Sequence, residues 1–529
     1  MDIKKIAISG LVIVGVLPLW AQSSYDAVLL SGSELNGSAR FVGMGGAMGA
    51  LGGDVSVIGT NPAGIGIYRS HDLALSFGFN NTSASSTFNG ISMKQGRTRA
   101  SLDQIGFVYS NKIGNRTPLR YVNFAFNYHK SRNFNRLFNM GGNLDGFSQT
   151  FQIASMTNSV ADNSYYGFDE NSYYDLINHS NPYTDSSWGD VATLTKMGVR
   201  TGVTEWSTAD NEAIGWLGKA NEYYSREEGG INQYDFNVAF NVEDRFYFGL
   251  TIGVSDVNYS KNSYYVEDLW MDDGKTDNGG YRLNNNFHAD GSGVNLKLGA
   301  IVRPFAYSPF RIGFAVHTPT WYNLTYHYSS RLESSIRNVD NGENYYQDTF
   351  EALGGNFVYE YQFSTPWLFN VNMGTTFGGI VAVGAEYEYQ DYSKCRFSDV
   401  DGSEFYSSTD EIEDNLKGVH VVRLGIESFL TPQFAIRGGY NYMTSAFKNE
   451  AFKPMAYYET RTDTEYENCQ NQHTIAVGMG YRGRMFYADM AYKYNMYKSE
   501  FRPFDDVALP VTKVDNDRHQ ILLTIGLRF

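Results

Sequence analysis

The C-terminal stretch RHQILLTIGLRF alternates in polarity. Ile521, Leu523, Ile525, Leu527 and Phe529 share one parity, while Gln520, Leu522, Thr524, Gly526 and Arg528 share the other. A period of two puts these sets on opposite faces of a strand. An apolar face ending in a terminal Phe, opposite a small and polar face, suits a strand with lipid outside and a wet or plugged lumen inside. The pattern recurs upstream at about 71–88, 102–111, 118–132, 231–241, 245–260, 286–304, 309–328, 352–376, 379–393, 415–430, 433–444, 470–482 and 485–497. Together with 516–529 these segments predict an all-β chain of about 14 membrane-crossing strands.

The links between these segments alternate in length. Short ones run from Asn111 to Pro118, Asn241 to Arg245, Pro304 to Pro309, Phe377 to Gly379, Thr431 to Gln433 and Arg482 to Arg484. The others are long and polar, the longest spanning about 133–230. Short turns on one side and long loops on the other are the mark of an antiparallel outer-membrane barrel. Parity assigns the faces: Val122, Phe124, Phe126 and Tyr128, or Phe246, Phe248, Leu250 and Ile252, point to lipid. Asn123, Ala125 and Asn127, or Gly249, Thr251 and Gly253, point inward. Small lumenal residues leave interior volume to be filled.

Composition narrows the class further. Aromatics make up 16% and charged residues 19% of 529 residues, and the formal charge is -15. Abundant aromatic and branched residues exclude a disordered chain. The acidic balance disfavours nucleic acid as a partner, because no basic stripe is present to neutralise phosphates. Two Cys make neither a disulfide scaffold nor a structural zinc site. Lys4 and Lys5, the apolar run Ile6–Leu17 and Trp20-Ala21-Gln22 read as a secretory signal peptide over 1–21, with a mature chain starting at Gln22.

Residues 22–70 precede the first strand and carry no strand pattern, which marks them as the occupant of the lumen, a plug ahead of a barrel over 71–529. Their Gly-Met-Gly-Gly run is not a nucleotide loop, since no strand precedes it in a βαβ unit. The segment GSARFVGMGGAMGALGGDVSVIGTNPAGIGIY resembles the N-terminal hatch of the FadL/TodX family of outer-membrane transporters for long-chain fatty acids and other hydrophobic compounds. Downstream, RIGFAVHTPTWYNLTY, VVRLGIESFLTPQFAIRGGYNY and HTIAVGMGYRGRMFYADMAYKY look like barrel strands of that family's Bacteroidetes-type members.

The resemblance implies a 14-stranded barrel in a Gram-negative outer membrane, ligand capture by extracellular loops, and release past the hatch or through a wall gap made by a kink in the third strand. It maps the family's gate onto Asn61, Pro62 and Ala63, followed by Gly64. The third strand here, LRYVNFAFNYHK, carries no internal Pro or Gly to mark a kink. The expected partners are a hydrophobic small molecule, outer-membrane lipid, and the barrel-assembly machinery through the strand ending in Phe529.

Further candidates come from the residues themselves. In the long loop, Phe134, Leu137, Phe138, Phe147, Phe151 and Met156 stand at near-helical spacing, and Trp206 and Trp216 form a second apolar group; both are candidates for capturing an apolar ligand. The competing reading is that they pack the loop onto the barrel rim. Glu386 and Glu388 share lumenal parity with Arg423, Glu427 and Arg437 on following strands, which suits a charge ladder facing the plug better than catalysis. Neither an enzyme activity nor a cofactor is expected. A surface-binding or adhesion barrel and a haem-type receptor remain the alternative functions. Cys395 and Cys469 fall at extracellular strand ends, and their pairing is left open.

Overall fold

The alternating segments close on themselves in a computed structural model that describes residues 22–163, 168–338, 342–350 and 357–529. The expected signal peptide and residues 352–356 of one expected strand lie outside the described residues. The first strands are β1 (Asp72–Phe88), β2 (Ile91–Lys112), β3 (Leu119–Asn133), β4 (Arg136–Gly146), β5 (Glu205–Ser207), β6 (Glu212–Ile214), β7 (Leu217–Val242), β8 (Phe246–Trp270) and β9 (Asp277–Val302). Then come β10 (Arg311–His317), β11 (Trp321–Asn338), β12 (Gly342–Phe350), β13 (Phe357–Ser364), β14 (Leu368–Phe377), β15 (Val381–Asp391) and β16 (Arg396–Ser398). The chain ends with β17 (Gly418–Phe429), β18 (Phe434–Met443), β19 (Tyr466–Arg482), β20 (Phe486–Arg502) and β21 (Thr512–Arg528).

β21 pairs antiparallel with β1, which closes a 14-strand barrel in which β10 with β11, and β14 with β13, each make one wall strand in two pieces. Closure removes the free edges that would leave rows of backbone groups unpaired in the membrane. Phe124, Phe248, Leu298, Phe314, Phe369, Leu424 and Ile525 are exposed on the outer face, an apolar belt that places the chain in the outer membrane of a Gram-negative cell. Among the described residues no helix is long and apolar enough to cross a membrane.

Three sequence expectations change. The segment 91–101, expected as a loop, extends β2, because Asn89 and Gly90 both hold positive φ (43° and 82°) and close a two-residue hairpin. The expected 133–230 loop begins and ends in sheet: β4 pairs with the upper part of β7. The near-helical spacing over 136–140 therefore lies on a strand, where Phe138 and Met140 face the core together, with Phe134 buried at the junction between β3 and β4. Finally, the wall strands at 309–328 and 352–376 are broken at Thr318-Pro319-Thr320 and Thr365-Pro366-Trp367. Proline has no N–H for the ladder. Threonines bridge the break: Thr365 N–H donates to Thr320 O (3.1 Å), Thr320 N–H to Thr365 Oγ1 (2.8 Å) and Leu296 N–H to Thr318 Oγ1 (3.0 Å).

Helices α1 (Ser24–Ser31) and α2 (Ala39–Gly43) belong to the segment ahead of β1. Helices α3 (Gln149–Asn163), α4 (Glu170–Asn178), α5 (Thr193–Arg200) and α6 (Tyr406–Asn415) belong to extracellular connections. A large upper core joins Phe138, Ile153, Met197, Tyr223, Tyr328 and Phe363, while a lower core joins Phe41, Met48, Ile58 and Ile65 to wall residues Ala74, Val108 and Ala239.

Candidate functional site

The N-terminal segment occupies the lumen, and its contacts run around the wall. Ala39 N–H donates to Thr524 Oγ1 (2.7 Å), Arg40 meets Glu427, and Asn61 Nδ2 approaches the carbonyls of Ala300 (3.4 Å) and Phe314 (3.5 Å). Glycine makes this seating sterically feasible. A side chain at Gly384 would strike Ala47 O, one at Gly425 Met44 O, and one at Gly439 the backbone of Gly45. The lumenal glycines therefore receive the Gly-Met-Gly-Gly run backbone to backbone rather than leaving open space. Gly45 and Gly46, at φ 63° and 82°, supply the left-handed turn that follows α2.

The Asn61-Pro62-Ala63-Gly64 turn begins a short 3-10 helix, Pro62–Ile67. Asn61 caps it, its Oδ1 accepting from Ala63 N–H (3.1 Å), and Pro62 occupies the first turn, where no N–H is needed. All four residues are buried. A side chain at Gly249 would collide with Pro62, and one at Gly299 with Asn61 and Pro62. Asn237 Nδ2 reaches Pro62 O (3.4 Å) and Asn123 Nδ2 reaches Ile65 O (2.8 Å). On the membrane side of these same glycines lies an apolar recess of about 440 Å³ between Phe248, Leu250, Leu298 and Phe314. The wall backbone at Gly249 and Gly299 lies between the turn and this recess.

The charge ladder forms two groups. Arg423 Nη1 donates to Glu386 (2.8 Å) and Glu388 (2.9 Å), and Glu386 also accepts from Gly49 N–H (3.3 Å) of the lumenal segment. Arg437 donates to Glu427 (2.8 Å) and to Asp489 (2.6 Å), and Arg40 adds a bidentate pair on Glu427 (2.9 and 2.7 Å). Each buried charge thus has an opposite partner, as burial demands. Parity found Glu386, Glu388, Arg423, Glu427 and Arg437 on the wall but not Asp489 of β20. Arg40 was missed too: it sits in an irregular segment where parity says nothing, although its place in the hatch motif marked it.

Helix α1 runs up the lumen to the extracellular side, an arrangement no sequence pattern announced. Ser23 caps it in a reciprocal capping box with Asp26. Ser24 N–H and Oγ donate to Glu411 on α6 (3.0 and 2.7 Å), Arg461 pairs with Asp26 (2.7 Å), and Tyr25 stacks on Phe447 (5.0 Å). Burial pushes the Glu411 carboxyl up to about 7, with the Ser24 hydrogen bonds opposing. Two cavities flank this helix. One, of about 150 Å³, is bordered by Glu34, Arg132, Glu388, Arg423, Lys493 and Arg518. The other, of about 220 Å³, has aromatic walls of Phe134, Phe138, Tyr223, Tyr259, Phe287 and Phe501. Its charges are paired, as in Arg136–Glu467 (2.6 Å) and Lys261–Glu465 (2.9 Å).

The candidate capture residues divide between settings. Phe134 and Phe138 line the aromatic cavity, while Met156 is buried in the same core and Phe147 packs against it. Trp206 is buried against Tyr173 (5.6 Å) in a separate cap core, and Trp216 donates through Nε1 to Gly202 O (3.2 Å). Phe151 is 40% exposed and Leu137 is half-buried. Cys395 and Cys469 are free thiols, and Cys395 Sγ lies 3.2 Å from Ser31 Oγ. Among the described residues no group of three His, Cys, Asp or Glu is placed to hold a metal ion.

No protein-family model and no curated protein matches the chain. Solved structures do. A Pseudomonas aeruginosa FadL homologue superposes with a TM-score of 0.53 at 12% identity, covering 94% of this chain and 99% of that one. The TodX monoaromatic hydrocarbon channel with the deltaS2 mutation gives 0.51 at 10% identity, covering 94% and 100%. The chain shares their fold over 94% of its length.

Proposed function

We propose that the protein takes up long-chain fatty acids or other hydrophobic small molecules, capturing them at its extracellular loops and releasing them past residues 22–70 acting as a hatch. The observation that carries this reading is the Asn61-Pro62-Ala63 turn seated against Gly249 and Gly299, directly behind an apolar recess open to the membrane. An apolar solute is stabilised by about 0.8 kcal/mol per buried methylene, so a route between an aromatic cavity and a lipid-facing recess keeps it out of water. Superposable folds of a FadL homologue and a monoaromatic hydrocarbon channel support the same class. The aromatic cavity flanked by α1 is the holding site, and Phe134 and Phe138 are its capture residues. The other candidates, Leu137, Phe147, Phe151, Met156, Trp206 and Trp216, shape the cap above it.

The breaks at Pro319 and Pro366 stand beside each other in the wall just above this recess, on wall strands seven and eight rather than the third. They supply a place for lateral release that β3 does not. The test is uptake of a labelled long-chain fatty acid, and separately of toluene, by cells with and without the protein. It is paired with mass spectrometry of apolar molecules retained by the purified chain. Protein-dependent uptake of either probe supports the reading. No uptake and no retained apolar ligand transfers it to a surface-binding barrel.

A further inference from the structure

One constellation on the outer face recurs three times and plays no part in the lumen. On β15, Tyr387 and Tyr389 point outward, and His420 of β17 stands directly opposite Tyr389. The Tyr387 hydroxyl lies 2.8 Å from His420 Nδ1, and the Tyr389 ring sits 5.1 Å from the imidazole. Tyr440, Tyr442 and His473 repeat this across β18 and β19, at 2.8 and 5.1 Å. Tyr492, Tyr494 and His519 repeat it across β20 and β21, at 2.7 and 4.7 Å. These are three consecutive hairpins that each open through an extracellular connection.

All three sets stand at one level. The next outward residue toward the periplasm is Val422, Ile475 or Ile521, each an exposed member of the apolar belt. Toward the outside the same parity carries Gly418, Asn471 and Asp517. The histidines thus mark the outer edge of the hydrocarbon region, where the headgroups of the outer leaflet lie.

An ordinary aromatic belt needs a ring and a polar tip, and tyrosine alone provides both. Here each lower tyrosine hydroxyl stands within hydrogen-bond distance of Nδ1 of a histidine, and with the hydroxyl as donor the ring carries its N–H on Nε2. Nε2 has no partner among the described residues. Each set therefore presents one oriented N–H donor beside a tyrosine face. This combination matches a sugar bearing phosphate: the C–H face of the ring stacks on the tyrosine, and a phosphate oxygen accepts from Nε2. We infer that the three Tyr–His–Tyr sets bind the phosphorylated sugar headgroups of an outer-leaflet glycolipid, holding an ordered lipid annulus along this side of the barrel.

The test is native mass spectrometry of the detergent-solubilised full chain with bis-phosphorylated lipid A, and with phosphatidylethanolamine as the comparison lipid. Wild type is expected to retain up to three lipid A molecules, and the combined His420→Leu, His473→Leu, His519→Leu variant to lose retention by about tenfold with phosphatidylethanolamine unchanged. Tyr387→Phe, Tyr440→Phe and Tyr492→Phe together keep the rings but release the tautomer, and are expected to fall between. If the combined histidine variant does not fold, judged by unheated gel mobility, the single variants are each expected to remove one lipid A adduct. Equal lipid A retention by wild type and the folded variants, or equal retention of both lipids by wild type, overturns the inference and leaves an ordinary belt.

Discussion

Arg40 grips Glu427 through both carboxylate oxygens, at 2.9 and 2.7 Å, and so ties the segment inside the barrel to the wall strand β17. Glu427 is 1% exposed and also holds Arg437. Removing one partner from a buried pair leaves an uncompensated charge, at a cost of about 3–5 kcal/mol. Arg40→Ala is therefore expected to loosen residues 22–70 without melting the barrel. Hydrogen exchange of that segment should rise while the wall strands stay protected, and single-channel recordings should show more frequent openings. Arg40→Ala combined with Glu427→Gln should recover part of the protection.

The proposed gate role of the Asn61-Pro62-Ala63 turn is tested from both sides of one contact. Pro62→Ala and Asn61→Ala should leave barrel assembly intact, since neither residue belongs to the sheet ladder, and should alter fatty-acid uptake because Pro62 fixes a backbone angle and Asn61 caps the turn. Gly299→Val pushes against Asn61 and Pro62 from the wall, an overpacking worth about 1–3 kcal/mol. It should shift uptake as the turn variants do. Cell-surface binding and uptake measured separately, at matched protein levels, check this; unchanged uptake in all three variants removes the gate role.

Attachment of α1 to the cap is expected to depend on pH through Glu411. Burial raises its folded carboxyl to about 7 from an ordinary 4.5. Between these values the folded state binds more protons than the unfolded one, so stability falls as pH rises across that window. The contribution is on the order of 3 kcal/mol, fully present below the ordinary value and lost above pH 7. Protection factors at residues 23–31, taken relative to the intrinsic base-catalysed exchange rate at each pH, should be higher at pH 5 than at pH 8, and Glu411→Gln should flatten the difference.

Both cysteines are expected to be reducible-bond free. Alkylation of unfolded protein without reductant should label Cys395 and Cys469, and intact mass should show both additions. In folded protein Cys395, fully buried beside Ser31, should react far more slowly than an exposed thiol, because burial pushes its pKa up to about 12 and depletes the thiolate.

Period-two alternation by itself determined the barrel, its strand count and which face of each strand meets lipid. Side chains on a sheet wall point strictly in or out, and lipid accepts only one kind. It also placed Glu386, Glu388, Arg423, Glu427 and Arg437 in the lumen. What it left undecided depends on contacts between residues far apart in the chain. The Gly-Met-Gly-Gly run needs Gly384, Gly425 and Gly439 opposite it, and nothing local links those positions. The rise of α1 to Glu411 joins residues nearly 400 positions apart. The spacing around Leu137 and Phe138 was near-helical, but pairing with the upper part of β7 made it a strand, since an extended partner supplies hydrogen bonds that a short isolated helix lacks. The breaks at Pro319 and Pro366 were visible as prolines, yet only the register of β10 with β14 and of β11 with β13 brought them side by side.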